Sequence, residues 1–211
     1  IYTTKITFLL DNLIISTVST LTIIILVFMG VAFINFTNFM DGIDGLVAGC
    51  MSVIFFVIGI TITPLGFIVS SILIGFLFWN WHPAKIFMGD VGSTYLGSLF
   101  TGFIFCADSI EVAIAVLLIS SPLFLDSLMT VLKRLFNGKN IFLPHKSHLY
   151  ERLYQNGYSH ATISKGYIIS IISLSIIYFI FSLKLLIISS LLLFFLGSYI
   201  DRKYALPFSK S

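Results

Sequence analysis

Long uninterrupted apolar runs, separated by short polar loops, set the pattern of this chain. The runs show neither the two-residue alternation of a half-buried strand nor the striped face of a soluble helix. A spanning helix needs about 20 mostly apolar residues. Seven stretches approach that length: Leu13–Ile34, Leu46–Thr63, Leu65–Trp79, Val91–Ala107, Val112–Leu132, Tyr167–Leu183 and Leu185–Ile200. Pro64 ends the second, and Lys184 alone separates the last two. The pattern predicts an all-α, polytopic transmembrane helical bundle of about seven spans, forming a single membrane-embedded domain over residues 1–211.

Composition agrees. Of 211 residues, 58% are hydrophobic and only 10% charged, and the mean hydropathy is +1.06. Soluble domains carry about 25% charge, so the bulk solvent for most of the chain is lipid. A net charge of +3 gives no reason to expect nucleic acid. Cys50 and Cys106 lie in apolar runs without metal-ligand spacing and read as small buried hydrophobes.

The position of the charges says more than their number. Lys85, Lys133, Arg134, Lys139, Lys146, Arg152, Lys165, Arg202, Lys203 and Lys210 fall on one side of the predicted spans, with only Lys5 and Lys184 opposite. The positive-inside rule makes the ten-residue side cytoplasmic, the C-terminus included. Seven spans then put Ile1 outside. Ile1 is also not Met, and the two together lead us to expect further spans upstream. His82, His145, His148 and His160 and most acids share the cytoplasmic side, which points to one active site at that face.

Three loops carry the reactive groups. The first contains Asn38, Asp41, Gly42, Asp44 and Gly45. Two carboxylates three residues apart share a helical face and repel unless a cation joins them. With Asn38 adding a neutral oxygen, the donors suit a hard cation such as Mg2+ beside phosphates. The bland alternative is a helix cap with a second acid for the dipole. The second loop reads Lys85-Ile-Phe87-Met-Gly89-Asp90-Val-Gly92-Ser93. Glycines around Asp90 leave backbone amides open to a phosphate. Phe87 offers a flat face to a base, and Lys85 either contacts phosphate or marks the end of its span. The third loop holds His145, Lys146, His148 and Arg152, which either meet a pyrophosphate or sugar or belong to an interfacial helix with snorkelling cations. Asp126, inside the fifth run, could orient a group in the site and is expected instead to pair with Arg134. Asp108 and Glu111 read as solvated charges on the outer face.

The strings Asn38-Phe-Met-Asp41-Gly-Ile-Asp44-Gly-Leu46 and Pro83-Ala-Lys-Ile-Phe-Met-Gly-Asp90-Val-Gly-Ser93 resemble the polyprenyl-phosphate N-acetylhexosamine-1-phosphate transferases. The resemblance implies a helical membrane enzyme that transfers a sugar-1-phosphate from a UDP-sugar to undecaprenyl phosphate and releases UMP. It implies Mg2+ (or Mn2+) as cofactor, a bacterial inner-membrane location and a homodimer as one assembly. Asp90 would be the main metal ligand, with Asn38 and Asp44 in the metal set. Asp41 and Asp44 would lie at the nucleotide end, Phe87 would stack on uracil beside Gly42, and His145–His148 would close over the sugar-phosphate. Lys85, Lys146 and Arg152 complete the expected substrate contacts. The family's earlier paired-Asp loop does not occur here, in keeping with missing upstream helices. The Pro144-His-Lys-Ser-His148-Leu-Tyr form looks more like the O-antigen-type transferases than the phospho-MurNAc-pentapeptide translocases, which stay as the alternative. A transporter, the rival from another class, would carry ionisable residues near the centre of several spans, whereas only Asp126 lies within one.

Overall fold

The computed structural model describes residues 17–140, 143 and 145–208, with side chains from residue 20 onward. Lys5, Pro144 and Lys210 lie outside the described residues. Nine helices and no strand occur among those described: α1 (Thr17–Phe39), α2 (Leu46–Thr61), α3 (Leu65–Asn80), α4 (Gly89–Phe105), α5 (Ile110–Ile119), α6 (Ser121–Phe136), α7 (Leu149–Gln155), α8 (His160–Ile180) and α9 (Leu183–Tyr204).

The all-α expectation holds, and about seven spans are not confirmed among the described residues. By length and composition three helices can cross a membrane, Thr20–Phe39, His160–Ile180 and Leu183–Tyr204, or four if a bent pair is one span. The reason is visible in α2. Its 16 residues reach only about 24 Å, short of the roughly 30 Å of a bilayer's apolar core. It is apolar nearly all round because it is largely buried, with Leu46, Cys50, Met51, Ile54, Phe55 and Ile58 fully enclosed and Phe56 and Ile60 exposed. A helix apolar all round is either lipid-facing or central to a core, and α2 is central. The long helices show the opposite: Phe28, Leu192 and Phe195 stand exposed, and lipid is the solvent that makes such surface stable.

Two boundaries differ from the hydrophobic pattern for local reasons. The run Val112–Leu132 is α5 and α6, bent by 75° between them. Pro122, in the first turn of α6, has no N–H for the preceding turn and its ring crowds the carbonyl four residues back. At the other break Ser182, not Lys184, sets the boundary, its hydroxyl accepting the Leu185 amide (3.4 Å) as the cap of α9. Cys106 is exposed at the C-terminal end of α4, against expectation, while Cys50 is buried as expected.

Close helix contacts position the polar end. A Cβ at Gly97 would lie 2.7 Å from the Ile34 Cα, so only glycine allows α4 to cross α1 at this distance. Below the loops Phe33, Phe100 and Phe124 join α1, α4 and α6, with ring centroids 4.9–5.3 Å apart. That spacing is favourable for tilted and edge-on rings. It holds the ends of α1, α4 and α6 as one platform.

Candidate active site

The crossing of α1 and α4 brings Asn38, in the last turn of α1, to Asp90, in the first turn of α4. The Asn38 amide donates to Asp90 Oδ1 (3.1 Å) and to Ser93 Oγ (3.0 Å). Asp90 is exposed and Ser93 is buried. Beyond α1 the chain turns, with the Asp41 amide bonded to the Asn38 carbonyl (3.1 Å). Burial and the charge of nearby Asp90 together push the Asp41 carboxyl up to about 7. A buried acid facing a second carboxylate, beside an amide oxygen that can accept, forms an all-oxygen set that a hard divalent cation would relieve.

Asp44 does not complete that set, as the sequence had suggested. Gly45, at φ 74°, turns the chain into α2, and the Asp44 carboxylate meets the start of the second loop and the start of α8. Its Oδ2 meets His82 Nδ1 at 2.7 Å, the Ala84 amide at 3.2 Å and His160 Nδ1 at 3.2 Å. Burial works against its charge, but these hydrogen bonds prevail and hold it below the ordinary carboxylate range. The single cluster expected from the sequence is therefore two. Asn38, Asp41 and Asp90 form one, and Asp44, His82 and His160 the other.

The third loop joins the first through Tyr150. The Tyr150 hydroxyl donates to the Phe39 carbonyl (2.8 Å), and its ring covers Gly42. The His148 ring lies 5.9 Å from Phe39 and 5.2 Å from His145, centroid to centroid. Burial, reinforced by Arg134 and His148, lowers His145 to about 4, and burial also lowers His148 despite Asp126. Both imidazoles are therefore neutral at pH 7, so they carry hydrogen-bonding groups and no charge.

The expected Asp126–Arg134 pair is not among the contacts of either residue. Arg134 turns instead to the Asn140 carbonyl (2.6 Å) and Ser147 Oγ (3.5 Å), because α7 supplies Asp126 with better partners. The carboxylate accepts from the Leu149 amide (2.7 Å), the Tyr150 amide (3.2 Å), the Tyr167 hydroxyl (2.8 Å) and Thr130 Oγ1 (3.4 Å). It caps α7 from a neighbouring helix and so fixes the segment carrying His145 and His148.

The remaining expected contacts divide. Phe87 is 73% exposed and free to stack. Lys146 is exposed. Lys85 lies over the Trp79 ring, 5.2 Å from its centroid. Arg152 is buried at 3% exposure, ion-paired to Asp201 and bonded to the Ser147 (3.1 Å) and Leu206 (2.8 Å) carbonyls. Its guanidinium ties α7 to the end of α9 and has no free donor face for a substrate. Sequence reasoning set His82 and His160 at the cytoplasmic face without a partner, and it gave no role to Tyr150 or Asp201.

Gly42 gives a direct test of this packing. Gly42→Ala would drive a methyl into the Tyr150 ring and hydroxyl. We expect a loss of about 1–3 kcal/mol as the ring is displaced, read as a lower melting temperature in detergent. An unchanged melting temperature would mean that Tyr150 does not pack there.

Similarity to known proteins bears on this arrangement. A Bacillus subtilis protein named "Probable undecaprenyl-phosphate N-acetylglucosaminyl 1-phosphate transferase" is 33% identical over 136 residues, 62% of this chain and 36% of that protein. A Mycobacterium leprae decaprenyl-phosphate N-acetylglucosaminephosphotransferase is 32% identical over 111 residues, 46% of this chain and 28% of that protein. A Prochlorococcus marinus phospho-N-acetylmuramoyl-pentapeptide-transferase is 32% identical over 123 residues, 49% and 34% of the two chains. Each match thus spans about a third of the relative's length. The family model described as "Glycosyl transferase family 4" matches residues 1–108, a stretch that holds Asn38, Asp41, Asp44 and Asp90. With half of its length covered by that model, the chain belongs to glycosyl transferase family 4.

Proposed function

We propose that the protein is a membrane phosphoglycosyl transferase. It moves a sugar-1-phosphate, N-acetylhexosamine-1-phosphate, from a UDP-sugar to a polyprenyl phosphate and releases UMP. The observation that carries the reading is the Asn38–Asp41–Asp90 oxygen cluster at the polar end of an apolar helical bundle. Its match to relatives named for polyprenyl-phosphate sugar transfer supports the substrate class. Relatives named for N-acetylmuramoyl-pentapeptide transfer match equally well, so that sugar is the second reading. The Pro144–Tyr150 segment favours the N-acetylglucosamine class and a place at the start of a cell-surface polysaccharide.

Both reactants are anions, so repulsion is the main obstacle to attack by the lipid phosphate oxygen on the sugar-bearing phosphorus. Mg2+, or Mn2+ in its place, held by Asp90 with Asn38 and Asp41 would offset that repulsion and favour departure of UMP. Asn38 holds the Asp90 carboxylate in place. Phe87 offers a stacking face to the base. His145, uncharged and half-buried, would meet the sugar-phosphate with its N–H or lone pair, and the buried His148 stacked on it would hold that ring in place. The cations clustered at this end support a cytoplasmic face by the positive-inside rule, where the donor would arrive from the soluble pool while the prenyl chain stays in the bilayer.

The test is exchange of labelled UMP into the UDP-sugar by the full-length protein in detergent, with and without chelator. We expect exchange only with divalent cation. The pH dependence follows from Asp41. Its folded-state carboxyl lies near 7, above the ordinary value, so without metal the protonated form is stabilised by folding and stability falls as pH rises towards 7. Metal binding must expel that proton, so the apparent affinity for Mg2+ should weaken as pH drops below about 7. Exchange that ignores chelator would remove the metal from the proposal.

A further inference from the structure

We infer that Ser147 is a positioning residue that holds His145 as the Nε2–H tautomer, so that the ring offers a hydrogen-bond donor to a phosphate oxygen of the UDP-sugar, a role that rests on the reading above. One buried hydroxyl decides the tautomer. Ser147 is 0% exposed, and its Oγ has two partners among the described residues, Arg134 Nη1 at 3.5 Å and His145 Nδ1 at 2.9 Å. A guanidinium only donates, so the Arg134 contact uses a lone pair of the hydroxyl oxygen. The hydroxyl proton then has one acceptor in reach, the Nδ1 lone pair of His145. A buried O–H turned elsewhere goes without a partner, which costs more than the bond itself contributes. A neutral imidazole carries its proton on one nitrogen or the other, so a His145 Nδ1 that accepts has its proton on Nε2. The ring is neutral because burial, with Arg134, His148 and Lys139 beside it, lowers it to about 4.

Ser147 is itself clamped. Arg152 Nε donates to its carbonyl (3.1 Å), and Arg152 is held in turn by Asp201 and the Leu206 carbonyl (2.8 Å). Arg134 is held by the Asn140 carbonyl (2.6 Å). Groups from α6, α7 and the end of α9 thus converge on one serine, and through it on one ring. Among the described residues no hydrogen bond goes to His145 Nε2. The half-buried His145 ring lies 5.2 Å from the His148 ring, which lies 5.9 Å from Phe39, centroid to centroid. Phe39 follows Asn38 in sequence, so two ring contacts connect His145 to the end of α1 that carries the oxygen cluster. A pyrophosphate oxygen of a UDP-sugar carries no proton at pH 7 and only accepts. Nε2–H satisfies it, whereas the other tautomer would set a lone pair against an anion. His145, His148 and Glu151 also lie near enough for a transition-metal ion, but Ser147 engages His145 Nδ1 and Glu151 accepts from the His148 amide (3.0 Å).

The experiment combines nitrogen NMR of histidine-labelled full-length protein with steady-state rates in detergent. Ring-nitrogen shifts separate a protonated from an unprotonated nitrogen, and the His145 signals are identified by their loss in His145→Ala. At pH 7 the wild type should show Nε2 protonated and Nδ1 bare, and Ser147→Ala should turn His145 into a mixture of tautomers. The same substitution should raise the KM for UDP-sugar about five-fold, the scale of one hydrogen bond, with kcat and the KM for the lipid within about two-fold. In a His145→Ala background Ser147→Ala should change that KM by less than about two-fold, because its effect passes through the ring. An equal rise in both backgrounds would make Ser147 a packing residue and overturn the inference. So would a wild-type His145 protonated on Nδ1, a result that needs no variant to fold beyond the one used for assignment. One equivalent of zinc held by the wild type and lost on His145→Ala would overturn it as well, since the ring would then be a metal ligand. Wild-type protein with the Nε2–H tautomer but no turnover of UDP-sugar would instead refute the donor reading beneath it.

Discussion

Replacing Asp90 with asparagine in the full-length protein should cut UMP release by about a hundred-fold or more, the scale of removing one preorganised electrostatic contact from a transition state. The fold should survive. Asparagine keeps the acceptor that Asn38 needs at 3.1 Å, and the residue is exposed, so no buried space changes. Removing the charge also relieves Asp41, whose carboxyl Asp90 helps to raise. Asp41 should therefore titrate lower in the variant, and the metal-free protein should be no less stable than the parent at pH 7. The pairing of lost activity with undiminished melting temperature separates a ligand from a structural acid. A variant with near-normal release would take Asp90 out of the reaction and leave the oxygen cluster without a role.

The polar motifs were legible in the sequence because chemistry at a membrane edge is conspicuous against an apolar background. Asn38, Asp41 and Asp90 stood out as acids and amides in glycine-rich loops, and the structure gathers them. What the sequence could not give was partnership across distance. Asp44 and His160 are 116 residues apart, and nothing local marks His160 as more than the first residue of a helix. Arg152 looked like a phosphate ligand because a cation beside two histidines suits an anion. It is instead consumed by Asp201, which no local pattern links to it. The span count of about seven is not confirmed for a related reason. Hydropathy reports how apolar a segment is and not what covers it, so the enclosed α2 and the lipid-exposed α9 read alike. Pro122 was visible as a helix breaker but sat within a run long enough to hide it.

Asp126→Ala should be the most damaging single change to the third loop. The carboxylate is buried, and each of its oxygens accepts two hydrogen bonds, one of them in each case from the N-terminus of α7. A seven-residue helix cannot nucleate alone, and its first amides have no partner within the helix. Alanine strands the Leu149 and Tyr150 amides and the Tyr167 hydroxyl in an apolar setting. At the cost of a broken buried polar network this is worth about 3–5 kcal/mol of local stability. Asparagine is a milder lesion, because its oxygen still serves one pair of donors and the Tyr167 hydroxyl can rotate to accept. Tyr150 N–H cannot rotate, so one repulsive contact remains. Hydrogen exchange should show the Leu149 and Tyr150 amides losing protection in the order Ala, Asn, wild type. Transferase activity should fall in the same order as His145 and His148 lose their fixed approach to Phe39. Full protection in the alanine variant would mean that α7 is held by Arg152 and the Tyr150–Phe39 contact alone. The acid inside α6 would then need another explanation.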